Sequence, residues 1–276
     1  MRSPTPATLS ITPRDRRFGR GRDQQRHWLG GDPYQTAIYN ALSVTFPKGE
    51  AFFIESVRAF RDGTPERLSG EIAAFVRQEV VHSREHIAFN RRVTDTGYDV
   101  SRLHQAVDRR LALIRSRPPI VALAATIALE HYTAILAHAL LADSRHLDVA
   151  DAESAALWRW HAIEEIEHKG VAYDTWLHAT RGWTRWRRWS VKARVMLLVT
   201  HHFLIDRTRG ALDLLAQDGI SGARAGWGLA RAAFISAGLM RRILRPWIGY
   251  FLPGFHPWNE DDRGLIGVAE SALSVS

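Results

Sequence analysis

Two copies of Glu-x-x-His, at Glu79/His82 and Glu165/His168, each lie in a stretch of helical apolar periodicity, and each has a lone core-facing glutamate upstream, Glu50 and Glu130. On a helix, residues i and i+3 share a face, so each pair turns a carboxylate and an imidazole towards one point. A carboxylate on an apolar stripe must be paired or bound to metal, because burying it alone is prohibitively costly. Two such pairs with two further glutamates form the ligand set of a two-metal centre inside a four-helix bundle.

The spacing predicts that these groups meet. From Glu50 the chain runs 13 residues to Gly63, turns through Gly63-Thr64-Pro65, and takes 14 more to reach Glu79. At about 1.5 Å of rise per residue both arms are about 20 Å long, which returns Glu79 to the height of Glu50. The second hairpin repeats the device, with Glu130 17 residues before Leu147 and Glu165 17 after Asp148. Packed together, the two hairpins bring four carboxylates and two imidazoles into one buried layer. Glu50 shares its stripe with Phe53, Ile54 and Val57, whereas Glu55 is rotated towards solvent. Pro47 and Gly49 put Glu50 near a helix start, which a kink with 34–45 continuing the same rod would reconcile.

The composition narrows the chemistry. There is no cysteine, so disulfides, thiolate metal sites and cysteine nucleophiles are excluded. A transition metal must then take nitrogen and oxygen ligands, which favours iron, with manganese or zinc as alternatives. Strand signals are scarce and Ala/Leu/Arg-rich periodic segments dominate, so the class is all-α. The net charge of +8 is carried almost wholly by arginine. No signature of a specific nucleic-acid reader accompanies it, and charge alone speaks to solubility and non-specific binding. The N-terminus lacks the apolar region of a signal peptide and no stretch reaches the roughly 18 uncharged apolar residues of a spanning helix, which leads us to expect a cytoplasmic protein.

Three regions are expected: an irregular basic arm over 1–32, the di-metal bundle over 33–180, and a helical C-terminal layer over 181–276. The periodicity predicts helices at 34–45, 49–61, 66–94, 101–115, 118–142, 149–179, 185–205, 207–217 and 222–246, with a loop tail from Pro253. The segment Arg181-Gly-Trp-Thr-Arg-Trp-Arg-Arg-Trp189 interleaves cations with indoles. It reads either as a satellite layer packed on the bundle with its arginines snorkelling outward, or as peripheral contact with a membrane.

Further side chains border the pattern. His161 stands one turn before Glu165, so one helix can offer His161, Glu165 and His168 as three ligands. Glu164 can accept the second N–H of His82 across the bundle, or replace Glu165 as ligand. His86 reads as an extra ligand, a gate or a hydrogen-bonded core histidine. His131 points about 100° away from Glu130 and reads as packing or support, and His138 is a weaker candidate. Structural ion pairs with arginine are the alternative explanation of the whole carboxylate set.

Over roughly residues 46–179 the chain resembles the ferritin-like di-iron carboxylate proteins, which implies Glu50, Glu79, His82, Glu130, Glu165 and His168 as the six ligands of two irons. The additional His161 is similar to the seventh ligand of the di-iron arylamine N-oxygenases. A closer resemblance rests on His27-Trp-Leu-Gly-Gly-Asp32, Ala41-Leu-Ser43, Phe46-Pro-Lys-Gly-Glu-Ala-Phe-Phe53, Gln78-Glu-x-x-His82, Glu130-His131, Trp160-His-x-x-Glu-Glu-x-Glu-His168 and Gly254-Phe-His-Pro-Trp258. Through these motifs the chain resembles the bacterial family labelled "predicted metal-dependent hydrolase". The favoured expectation is an O2-dependent di-iron oxidase or oxygenase, with Glu79 and Glu165 bridging the metals and His161 beside them. Phe53, Phe75, Trp158 and Leu129 would line a site for a small hydrophobic or aromatic substrate. The alternative is hydrolysis by a metal-activated water, and metal storage or a structural metal ranks last. A homodimer is a further expectation.

Overall fold

The computed structural model describes residues 5–20, 23–236 and 239–275, and among these the chain is all-α. Its helices are α1 (Pro33–Ser43), α2 (Phe46–Arg58), α3 (Glu66–Asp95), α4 (Ser101–Arg115), α5 (Pro119–Leu141), α6 (Ala152–His168), α7 (Val171–Ala179), α8 (Arg185–Gln217), α9 (Gly222–Arg231), α10 (Leu239–Gly249) and α11 (Arg263–Val275). A π-helical turn occupies Ala232–Ser236. The one β-type pairing among the described residues is an isolated bridge between Leu29 and Ala150.

Local chemistry sets the helix ends. Asp32 accepts hydrogen bonds from the Tyr34 and Gln35 amides and starts α1, with Pro33 in the first turn. Asp151 does the same for α6 through Ser154 N, at 2.9 Å. Gly63, at φ +73°, makes the turn between α2 and α3 that an L side chain would strain. α2 packs on α3, α5 on α6, α2 on α5 and α3 on α6, which closes a ring of four helices. α7 packs on α3 and α5, α8 and α10 cover α5, and α11 lies on α6. Phe75, Trp160 and Trp176 are completely buried; truncating such a ring to alanine costs about 3–5 kcal/mol.

Several expected boundaries shift. The helix expected at 149–179 is two, broken at Lys169-Gly170, where Trp258 packs so closely that a Cβ on Gly170 would lie 2.8 Å from its ring. The segments 185–205 and 207–217 are one continuous helix. The helix expected at 222–246 is interrupted by the π turn, and the tail expected as loop contains α11. Residues 1–4 and 21–22 of the expected arm, residues 237–238 of the expected helix 222–246 and residue 276 of the tail lie outside the described residues. α5, although Glu130 interrupts its apolar run, is by length and composition long and apolar enough to cross a membrane; 67% of its most apolar window is buried inside the molecule.

Candidate metal centre

Each helix of the ring carries part of one buried layer. α2 supplies Glu50, α3 Glu79 and His82, α5 Glu130, and α6 His161, Glu165 and His168, all between 0 and 4% exposed. No continuous rod runs from α1 into Glu50: Val44 and Thr45 separate the helices, and α1 packs on α8 while α2 packs on α3. Pro47 sits in the first turn of α2, where its missing N–H leaves no gap in the ladder. Glu55 is exposed and pairs with Arg115 instead.

Buried polar atoms are almost always hydrogen-bonded, and each exception calls for a cause. In this layer the exceptions cluster. Glu50 Oε1, both oxygens of Glu79, both oxygens of Glu130, Glu165 Oε2, His82 Nδ1 and His168 Nε2 are buried without a hydrogen-bond partner. They belong to the four glutamates and two histidines of the repeated pattern. His168 Nε2 lies 3.2 Å from Glu79 Oε1, 3.5 Å from Glu165 Oε2 and 3.6 Å from Glu130 Oε2, without hydrogen-bonding geometry. Ligand atoms about 2.1 Å from a shared ion are separated by about 3.0–3.4 Å, so the donors fit a nitrogen-and-oxygen metal site.

The far side of each imidazole is already fixed. His82 Nε2 lies 3.0 Å from Glu164 Oε2, and His168 Nδ1 lies 3.0 Å from Gln78 Oε1. Each ring therefore turns its other nitrogen, the orphaned one, into the layer, an arrangement typical of metal-bound histidines. Ser83 Oγ donates to Glu50 Oε2 at 2.7 Å, leaving Oε1 free. Donor atoms close enough to share an ion form overlapping groups: Glu50, Glu79 and His82; Glu79, Glu165 and His168; and His82, His161 and Glu165. Glu79, His82 and Glu165 each belong to two of these groups, and of the three only the carboxylates have two donor atoms on one side of the side chain.

The remaining candidates fall at distinct places. His161 Nε2 is 2.8 Å from Glu165 Oε1 and its Nδ1 is 2.5 Å from His86 Nε2, so both nitrogens already have partners. His86 continues through Nδ1 to Ser43 Oγ at 2.8 Å, and Glu50, His86 and His161 form a further group of converging donors. Glu164 faces the outer edge of His82, where it also accepts from the Arg14 amide. His131 lies against the Pro246 carbonyl at 3.2 Å, away from the layer. His138 pairs with Asp262; Lys169 Nζ, 2.5 Å from the same carboxylate, already supplies that cluster with a cation.

Burial dominates the electrostatics. It pushes Glu50 up to about 8 and holds Glu79 and Glu130 well above the usual carboxylate range, with neighbouring carboxylates adding to the rise. Burial opposes the charge of His82, but its contacts with Glu164 and Glu165 outweigh this and hold it at about 10. Glu165 is held well below the usual range, because His168 and His161 overcome its burial. His161 is lowered to about 4 and His86 also falls, chiefly through burial. Burial thus disfavours ionisation of three carboxyls in one layer, and cations among them would favour it.

Sequence reasoning did not single out Gln78, Ser83 or Arg14 as parts of the site. Gln78 precedes Glu79 and bridges His168 to Glu167, to which its Nε2 donates at 2.8 Å. Arg14, from the non-helical N-terminal segment, reaches Glu164 and Glu167 and so fixes the two carboxylates behind the histidines. The Gln-Glu-x-x-His and Glu-Glu-x-Glu-His strings were the available signal for Gln78 and Glu167; nothing in the local pattern around Arg14 gave one.

No curated protein and no solved structure matches this chain. The family model described as "predicted metal-dependent hydrolase" matches residues 12–261, a span that contains every residue of the layer. The chain belongs to the predicted metal-dependent hydrolase family.

Proposed function

We propose that the chain is a hydrolase that works with two metal ions held by Glu50, Glu79, His82, Glu130, Glu165 and His168. The observation that carries this reading is the set of eight unpartnered buried donor atoms on these six residues, and the family assignment supports hydrolysis as the reaction class. Bound metal would supply Lewis acidity and a water acidified to near neutral pH. Glu79 and Glu165, each common to two donor groups, would be shared between the ions. Glu164 and Gln78 orient the histidines. His86 and His161, joined at 2.5 Å and kept neutral by burial, would border the layer and hold Glu165 in place through His161 Nε2. Phe46, Phe75 and Trp160 pack against the imidazoles with ring centres 4.7–4.9 Å away, and this apolar surface would favour a small apolar substrate.

The same closed, carboxylate-rich layer favours a second reading, an O2-dependent di-iron oxidase or oxygenase on a ferritin-like four-helix core. Its support is the donor set, four carboxylates and two imidazoles in an enclosure of aromatic rings, which suits redox iron as well as zinc or manganese. Reconstitution separates the two. The metal-free protein is loaded with zinc, manganese or iron without air and assayed on a panel of ester, amide and phosphoester substrates, with O2 uptake followed in parallel. Hydrolysis predicts turnover with redox-inert zinc and no O2 uptake. Turnover that requires iron and consumes O2 would replace it with the second reading.

A further inference from the structure

We propose that the outward face of α8 and α10 is a docking surface for an anionic phospholipid bilayer. Charge is sharply segregated along the chain. Residues 181–250 carry thirteen Lys and Arg against three Asp, a surplus of ten in a chain whose total is +8, so the remaining residues together are slightly acidic. The three carboxylates, Asp206, Asp213 and Asp218, are engaged by Arg110, Arg102 and Arg26 from outside the segment. Arg185, Arg194, Arg241 and Arg245 are exposed and, among the described residues, form no ion pair.

Apolar side chains are exposed between these cations. Trp186, Leu197 and Leu198 project from α8, and Leu244, Ile248 and Leu252 project from and just beyond α10, each at least half exposed. On α10 the series Arg241, Leu244, Arg245, Ile248 and Leu252 follows one helical stripe, opposite the stripe of Leu239 and Ile243 that is buried. Trp247 Nε1 donates to Thr200 at 3.0 Å and Trp189 Nε1 to the Phe251 carbonyl at 2.8 Å, which ties α10 and the turn after it to α8, with α5 packed against both helices. In the Trp-rich segment, Trp183 packs on Trp176, whereas Trp186 is 70% exposed. The surface thus extends well past 181–189.

Aliphatic and indole groups alternating with unpaired arginines suit the boundary between headgroups and acyl chains, where apolar groups enter and guanidinium groups meet lipid phosphates. A nucleic acid would use the cations and leave the leucines and isoleucines in water. A second copy joined through the same face would oppose two cationic surfaces.

The test is co-sedimentation of the full-length, metal-loaded protein with vesicles of phosphatidylcholine alone or with about 30% phosphatidylserine, at low and high salt. Binding should require phosphatidylserine and be lost as salt rises. Arg241→Gln with Arg245→Gln should weaken partitioning about 30-fold, at about fivefold per cation near the surface. Leu244→Glu with Ile248→Glu should abolish it, with helical content and metal content unchanged. These residues lie outside the metal layer, so failure here leaves the hydrolase reading untouched, and the reverse. No sedimentation with anionic vesicles at low salt would overturn the proposal, as would binding undiminished by Leu244→Glu/Ile248→Glu. Loss of a dimer in that variant by ultracentrifugation, without vesicle binding by the parent, would assign the face to a second copy.

Discussion

If the layer is built for cations, one substitution should have opposite effects with and without them. Glu50 is 1% exposed, accepts one hydrogen bond from Ser83, and is pushed by burial to about 8 against 4.5 for a free side chain. In the metal-free protein this raised value makes Glu50 retain its proton when folded and lose it when unfolded. Its contribution is therefore fully present below about pH 4.5 and is lost as pH rises towards 8, at about 1.4 kcal/mol per unit. Glu50→Gln is uncharged at every pH, and its amide oxygen can still accept from Ser83. Relative to wild type, metal-free Glu50→Gln should gain about 3 kcal/mol between pH 5 and pH 7. The comparison of two proteins at each pH cancels the many other titrating groups, including the histidines lowered by burial. In metal-replete protein the sign reverses, because the substitution removes an anionic donor and metal binding stabilises the fold by mass action. Urea unfolding of both proteins at several pH values, with chelator or with metal, reads all of this. A pH-independent effect of Glu50→Gln in chelator, or the same sign in both conditions, would refute the reasoning.

Three further outcomes follow from the geometry. Glu164→Gln removes the charged partner of His82 Nε2 and should weaken metal affinity about 10–100-fold in a chelator competition, with the helical fold retained. His161→Ala should keep both metals while changing the pH profile of turnover, since both ring nitrogens already have protein partners; His82→Ala or His168→Ala should instead lower the metal content, measured by elemental analysis. Lys192 is 3% exposed, donates to the Tyr250 carbonyl and is pushed by burial to about 7. Folding therefore gains stability as pH rises from about 7 to 10.5, and Lys192→Met should stabilise the protein by about 1–3 kcal/mol at pH 6, with the gap in thermal unfolding closing near pH 10.

The parts of this molecule that could be read from sequence are those governed by local periodicity. Glu-x-x-His on an apolar stripe fixes which side chains face inwards, and the equal arms around Gly63 and around Leu147-Asp148 fix their common height, so the structure gathers five pattern residues in converging donor groups and brings the sixth, Glu130, to 3.6 Å from His168. Tertiary contacts decided the rest. Nothing within 149–179 marks a break at Lys169-Gly170; it takes Trp258, nearly ninety residues on, to fill the space that a side chain at Gly170 would need. Arg14 looked like part of an irregular basic arm, yet its guanidinium reaches two buried carboxylates about 150 residues away. His161 and His86 have the same spacing signals, and only the packed interior shows that they bond to each other.

The most direct test of the account is an anomalous-scattering crystal structure of the protein loaded with manganese or iron. It should show two peaks per chain in the buried layer, one against Glu50 Oε1, Glu79 and His82 Nδ1 and the other against Glu130, Glu165 Oε2 and His168 Nε2, with Glu79 or Glu165 between them. A single peak, or none in this layer with Glu79 and Glu130 still unpartnered, would contradict the two-metal centre.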